Sequence, residues 1–355
     1  MWSLLGVMLV PLVVGAAVFL RARQVATKWR QITWRELLIM EVIALVIAAM
    51  GFFFIKEKGL WDTEHWNGRI SSKISGSESC CHCTETCSTC TDSEGRTSSC
   101  NCIEICSHSQ DYYWGLKLTT GDTIMIEDCV SSQYGVPPIW IMAKEGEPAS
   151  AEREFKNYLK ADPENLKMPP APVAWVKEVP DFPRIYNHYK VTKVVAHGVD
   201  VPEAWDAGLR EINADLGAAK QVDVTLVATR RDDPRWADAV RRKWLYGPKN
   251  ALIIVVGVPD EAHIAWVRAV SISEVEVISE LLGQKLVGLR LDQHEAGLTA
   301  IRDVVRGEFQ RTPMADFKAM ASAAEPPWPW LLALHLVMAL ITGMLGHWVW
   351  KWDVA

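Results

Sequence analysis

Residues 235–270 read RWADAVRRKWLYGPKNALIIVVGVPDEAHIAWVRAV, and the order of elements within that stretch decides the fold. Trp236, Val240 and Trp244 recur every four residues, which is one face of a helix, and Asp233-Pro234 just before them puts a proline at the favoured first turn. Residues 251–258 (ALIIVVGV) carry no polar side chain, the pattern of a strand buried on both faces. A short turn at 259–262 leads to a further strand, 263–270. Working outward, residues 202–216 make an amphipathic helix with Trp205, Leu209, Ile212 and Leu216 on one face, and residues 221–229 (QVDVTLVAT) a second buried strand. Helices follow at 274–282 and 294–309. Helix, strand, helix, strand, strand, helix, helix is the order of an α/β sandwich, here spanning residues 185–310.

The same stretch resembles the middle of TPM domains. The family pattern is a helix ending in a Lys-Trp-hydrophobic-Gly turn, matched by Lys243, Trp244, Leu245, Tyr246 and Gly247, then an asparagine before an apolar strand, matched by Asn250. A hairpin strand of alternating charged and apolar residues comes next, and residues 297–309 (GLTAIRDVVRGEF) look like the family's last helix. The resemblance covers residues 200–310, about a third of the chain. It implies an extracytoplasmic domain, often followed by a C-terminal membrane helix, and either acid phosphatase activity or divalent-cation binding. The chain departs from the pattern after Arg268: where the family has a glycine-rich turn and a Thr-Asp pair, it has Ser271, Ile272, Ser273, Glu274, Val275 and Glu276. Asp232, Asp233, Glu274 and Glu276 supply the carboxylates that calcium or magnesium would need, and the same acids also suit ordinary helix starts. No P-loop, GxSxG, HExxH or dinucleotide fingerprint is present.

Upstream, six prolines between Pro163 and Pro183 mark an extended spacer. With a helix expected over 150–161, it fills residues 150–184. Before it lies the segment that holds all nine cysteines, CCHCTETCSTCTDSEGRTSSCNCIEICSH and, later, Cys129. CxCxExC occurs twice, at residues 81–87 and 100–106, and period-two spacing puts each set of cysteines on one face of a strand. The polar turn at 92–95 predicts a hairpin pairing Cys81 with Cys106 and Cys87 with Cys100. Two chemistries fit. Disulfides among Cys81, Cys83, Cys87, Cys90, Cys100, Cys102 and Cys106 would staple a segment too small to bury a core, with Cys80 or Cys129 left over. Alternatively Cys83, Cys87, Cys90, Cys102 and Cys106, with His82 and His108, would bind zinc. Residues 112–119 and 123–129 read as a second hairpin and 139–143 as a fifth strand. Together they make a Cys-rich β module over 75–145.

Residues 1–20, 37–55 and 328–350 are long and apolar enough to span a bilayer. The short loop 21–36 carries Arg21, Arg23, Lys28, Arg30 and Arg35 against one acid, Glu36, which predicts that it is cytoplasmic. The N-terminus is then outside, the C-terminus inside, and residues 56–327 extracytoplasmic. Ten of the seventeen tryptophans, namely Trp2, Trp29, Trp34, Trp61, Trp66, Trp328, Trp330, Trp348, Trp350 and Trp352, flank these spans as interfacial anchors. Glu41 and His347 lie at similar depth, where an intramembrane pair would offset their burial. A net charge of −6 argues against nucleic acid as a partner. The chain reads as a multi-pass membrane protein of three spans, a Cys-rich module and an α/β domain, with the lipid bilayer and other membrane or envelope proteins as expected partners. An interaction or assembly role is expected, and a divalent-cation-dependent phosphatase-like hydrolase is the competing reading.

Overall fold

The computed structural model describes residues 2–25, 33–91, 93, 95–131, 134–161, 170–244 and 250–351. In chain order the elements are α1 (Trp2–Val25), α2 (Trp34–Gly59), β1 (Trp61–Ser79), β2 (Cys83–Thr91), β3 (Thr97–Cys106), β4 (Gln110–Leu118), β5 (Thr123–Ser131), α3 (Pro138–Met142) and β6 (Pro148–Lys156). They continue with α4 (Val173–Glu178), β7 (Ile185–Tyr186), β8 (Lys190–Val191), β9 (Val194–His197), α5 (Glu203–Lys220), β10 (Asp223–Thr229) and α6 (Trp236–Trp244). The last are β11 (Ala251–Gly257), β12 (Trp266–Val270), α7 (Glu276–Leu286), α8 (His294–Glu308) and α9 (Trp328–Lys351). The chain divides into a unit of Met1–Asp62, Phe155–Lys167 and Pro313–Ala355 and a unit of Thr63–Glu154 and Met168–Thr312.

In the first unit α1, α2 and α9 are each long and apolar enough to cross a membrane. Thr33 and Glu36 start α2 with a capping box: the Thr33 amide donates to Glu36 Oε2 at 2.7 Å and the Glu36 amide to Thr33 Oγ1 at 3.3 Å. Val7, Ala44, Ala48, Phe52, Leu334 and Met338 form the shared core, the two alanines letting helices approach closely. The expected Glu41–His347 pair does not form. Gly15 leaves a space on α1 that the Glu41 side chain fills, since a Cβ there would collide with Oε1, while Oε2 is buried without a hydrogen-bond partner. His347 is exposed on α9. Trp34, Trp61, Trp328, Trp330 and Trp348 are exposed, as interfacial anchors should be. Trp66 is not an anchor: it packs in the second unit, with the Arg153 guanidinium 3.7 Å from its ring and its Nε1 donating to Glu64 at 2.7 Å. Lys28, Trp29, Arg30 and Trp352 lie outside the described residues, as do the side chains of Trp2, Arg23 and Trp350.

The second unit is mixed α/β. Its antiparallel sheet runs β5-β4-β1-β6, with register shifts along β1/β4 and β4/β5. Two elements differ from expectation. Residues 148–156 form β6 instead of the start of a helix, because Ala149, Ser150 and Ala151 bury their small side chains where β6 lines the edge of β1. Residues 138–142 form a short helix instead of a strand, with Pro138 at its favoured first turn.

The other sheet runs β12-β11-β10-β9, with β9, β10 and β11 parallel and β12 antiparallel. It is buried on both faces. Val224, Leu226, Ala228, Leu252, Ile254 and Val256 point to α5, α7 and α8, whereas Val227, Ile253 and Val255 point to α6 and α4. Since the strand order 9-10-11 advances one way while α5 and α6 cover opposite faces, the two β-α-β crossovers have opposite hands. Tyr189, just beyond the expected spacer, is buried with Ile70, Leu116 and Leu118 of the antiparallel sheet, and residues 162–169 of that spacer lie outside the described residues.

Candidate functional site: the cysteine arm and its root

β2 and β3 leave the sheet as a two-stranded arm with nearly every residue exposed. Such a hairpin has no core and is marginal in water. Moreover Glu85 and Glu104 stand directly opposite each other, a repulsive cross-strand pair. Sulfur supplies the cohesion. Cys83 and Cys106, Cys87 and Cys102, and Cys90 and Cys100 lie at disulfide distance across the hairpin, and Cys81 and Cys129 tie its base to β5. Cys80 is the free cysteine.

The register is two residues away from the expected one, so that Cys83, not Cys81, faces Cys106. Beyond a bulge on β3 the offset falls to one residue, Ser88 and not Cys87 facing Cys100, so the bulge supplies half of the shift and the longer turn the other half. Asn101 takes a left-handed φ of 47°, which asparagine tolerates, and with Cys102 opposes the single residue Cys87. In the root half the two-residue shift preserves which face each cysteine occupies, so pattern alone does not distinguish the two registers there. The expected zinc set of Cys83, Cys87, Cys90, Cys102, Cys106 and His108 is not assembled, because its cysteines are divided among three cross-strand pairs.

At the root of the arm a different cluster forms. Asp111, the second residue of β4, has no exposed surface. Its carboxylate accepts the Cys81 amide at 2.8 Å and lies 3.1 Å from His82 Nδ1 and in contact with His108 Nε2. Although burial opposes ionisation, the Cys81 amide and the two imidazoles hold the acid down at about 2. The ligand atoms of Cys80, His82, His108 and Asp111 all lie within 4.8 Å of one another. Sequence reading named His82 and His108 as metal candidates but missed Asp111 and Cys80 as their companions. The signal was there in the flanking positions: His82 immediately precedes β2, and His108 follows the last cysteine of β3 by two residues.

A second buried carboxylate, Asp223, begins β10. Lys193 Nζ contacts its Oδ1, Asn67 Nδ2 donates to the same oxygen at 2.9 Å, and His65 Nδ1 lies 3.2 Å from Oδ2. Burial opposes ionisation here too, yet Lys193 and His65 hold the carboxyl far below the usual range. Asn250, singled out by the family pattern, donates Nδ2 to the His65 carbonyl at 2.6 Å. Gly217 of α5 lets the β1 backbone pass, for a Cβ there would meet the Asn67 carbonyl at 2.2 Å. This is a closed clasp at the N-terminal ends of the parallel strands, away from the carboxyl ends where open α/β sheets bind ligands.

The four acids expected to hold a cation do not converge. β12 runs antiparallel to β11, pairing Val270 with Ile253 and Trp266 with Gly257, so Glu274 and Glu276 sit at the opposite end of the sheet from Asp232 and Asp233. Asp233 is taken by Arg235, and Glu276 Oε2 accepts the Val275 amide. Glu276 also lines a cleft of about 460 Å3 with Asp238, Arg241, Arg268, Ser279 and Glu280, in which two guanidiniums stand among three carboxylates. At the carboxyl edge, Arg230 pairs with Glu261 and Arg231 with Glu178.

Comparison with family models, curated proteins and solved structures gives no match.

Proposed function

We propose that this is a membrane-anchored interaction or assembly protein whose β2/β3 arm is the presenting element. The observation that carries the reading is an arm with no core, stapled across its length, that leaves Ile103 and Ile105 61% and 52% exposed on the face away from the sulfurs. Isoleucines so placed stabilise nothing within the chain and suit contact with another surface. Paired cysteines belong to an oxidising compartment. That and the basic loop 21–36 both support an orientation with residues 56–327 outside the cytoplasm, the N-terminus outside and the C-terminus inside. The bilayer and other envelope proteins are then the partners. The TPM relationship belongs to this proposal as well: a parallel strand, helix, strand and antiparallel hairpin strand over 223–270 are the elements that the resemblance implies. The hydrolase reading lacks support from the dispersed acids. A photo-crosslinking residue at position 103 or 105, activated in native membranes, tests the proposal. A discrete protein adduct is expected, lost when the neighbouring isoleucine becomes aspartate. Absence of any adduct from either position would contradict it.

A further inference from the structure

We propose that the root of the arm is a zinc site with Cys80, His82, His108 and Asp111 as its four ligands. Zinc at bonds of about 2.0–2.3 Å holds tetrahedral ligands roughly 3.3–3.8 Å from one another. The four ligand atoms lie within 4.8 Å of one another, and His82 Nδ1 is 3.1 Å from Asp111 Oδ2, so side-chain adjustments of about an ångström would bring the cluster to such a shell. The donors select the ion. One thiolate, two imidazoles and one carboxylate make a mixed set that zinc accepts, whereas calcium takes six to eight oxygens. A thiolate and a carboxylate also neutralise the two charges of the ion, so the filled site is neutral, as a partly buried group should be.

Cys80 is the cysteine left out of the four sulfur pairs, and its Sγ faces the root, 3.9 Å from Ser107 Oγ. A second set, Cys81, His82, Asp111 and Cys129, is equally close together, but its two sulfurs are joined to each other and give no thiolates while that link stands. The ligands come from the two strands by which the arm enters and leaves the sheet: Cys80 and His82 lie between β1 and β2, and His108 and Asp111 at the passage from β3 to β4. Zinc bound there clamps the β1–β2 connection to the β3–β4 passage, two segments that the Cys81–Cys129 link to β5 does not join to each other. Four protein ligands leave no open position, so the ion is structural and sets the direction in which the arm points. This inference rests on the hairpin being a presenting arm.

The test uses the full chain purified in detergent, loaded with zinc sulfate, desalted and assayed for metal by emission spectroscopy. About one zinc per chain is expected, as for a closed four-ligand site. Maleimide labelling of Cys80 should be slowed roughly tenfold or more relative to the protein treated with EDTA. Cys80→Ser and His108→Ala should each lower zinc affinity by at least the roughly 10–100-fold that even outer-shell changes cause. His263→Ala, on a loop of the α/β sheet, should leave it unchanged. Peptide mapping shows whether each variant keeps its four sulfur links and so has a formed arm. A wild-type chain that retains no zinc overturns the site, as does undiminished binding by Cys80→Ser and His108→Ala with links intact. The parent reading fails separately: absence of crosslinks from positions 103 and 105 would sink the presenting arm while Cys80-dependent zinc binding still stood.

Discussion

Asp111 and Asp223 are both carboxylates without exposed surface, each beside histidine, yet the two regions around them are built differently. Asp223 has its counter-charge built in: Lys193 is buried with it, Asn67 and His65 complete the shell, and the surrounding sheets exclude water. Asp111 faces two imidazoles and lies beside a free thiol at the base of an arm that is almost wholly solvated. The first cluster is complete as it stands and holds β1 to the α/β sheet. The second gathers metal donors around a carboxylate with no permanent cation among them. Burial of an acid is therefore a weak sign of function, and the nature of its partners is the stronger one.

The largest expected effect lies in the clasp. Lys193→Met leaves a buried carboxylate short of its cation and should cost about 3–5 kcal/mol, lowering the midpoint of thermal unfolding of the full chain. Adding Asp223→Asn should recover much of that loss. If the double variant is no better than the single one, the clasp is not electrostatic.

Cys87→Ser with Cys102→Ser comes next. Closing a 15-residue separation is worth at most about 3 kcal/mol, and less here because neighbouring links already restrict the same strands. The loss should be local: amide exchange should speed up across β2 and β3, helped by the Glu85–Glu104 repulsion, while β10 and β11 keep their protection. Uniform loss of protection would show that the arm is not an independent element.

Acid should separate the two regions again. Asp111 has a folded pKa of about 2 against an ordinary 3.8, so its contribution is present above about pH 4 and disappears as pH falls toward 2. Exchange at Cys81 and His82 should rise through that window, and Asp111→Asn should abolish the pH dependence. A wild-type root that stays protected through the window would contradict the shift. Smallest is Ile103→Ser with Ile105→Ser, which should change stability by no more than about 0.5 kcal/mol while removing the contact surface.

Much of the fold was legible because it follows from side-chain pattern. The apolar run at 251–258, the amphipathic helix around Trp205 and the three spans appear where periodicity puts them. What escaped depends on contacts between distant residues. β9 is a four-residue edge strand, too short for its pattern to register, and β6 is a strand because β1 is beside it. The arm's register depended on the length of its turn and on a bulge at one left-handed asparagine, and the opposite hands of the two crossovers have no signature in any one segment. At the site, cysteine spacing favoured the repeat itself as the metal set. Pairing across the hairpin removed those thiols and left Cys80, His82, His108 and Asp111, whose proximity follows only once β1 and β4 are known to be neighbours.

The most direct measurement labels sealed, right-side-out membranes with an impermeant maleimide, with EDTA present and without reductant, and counts adducts by intact mass. An extracytoplasmic, stapled arm predicts a single adduct, mapping to Cys80. Several adducts within the hairpin, or none until the membrane is opened, would contradict it.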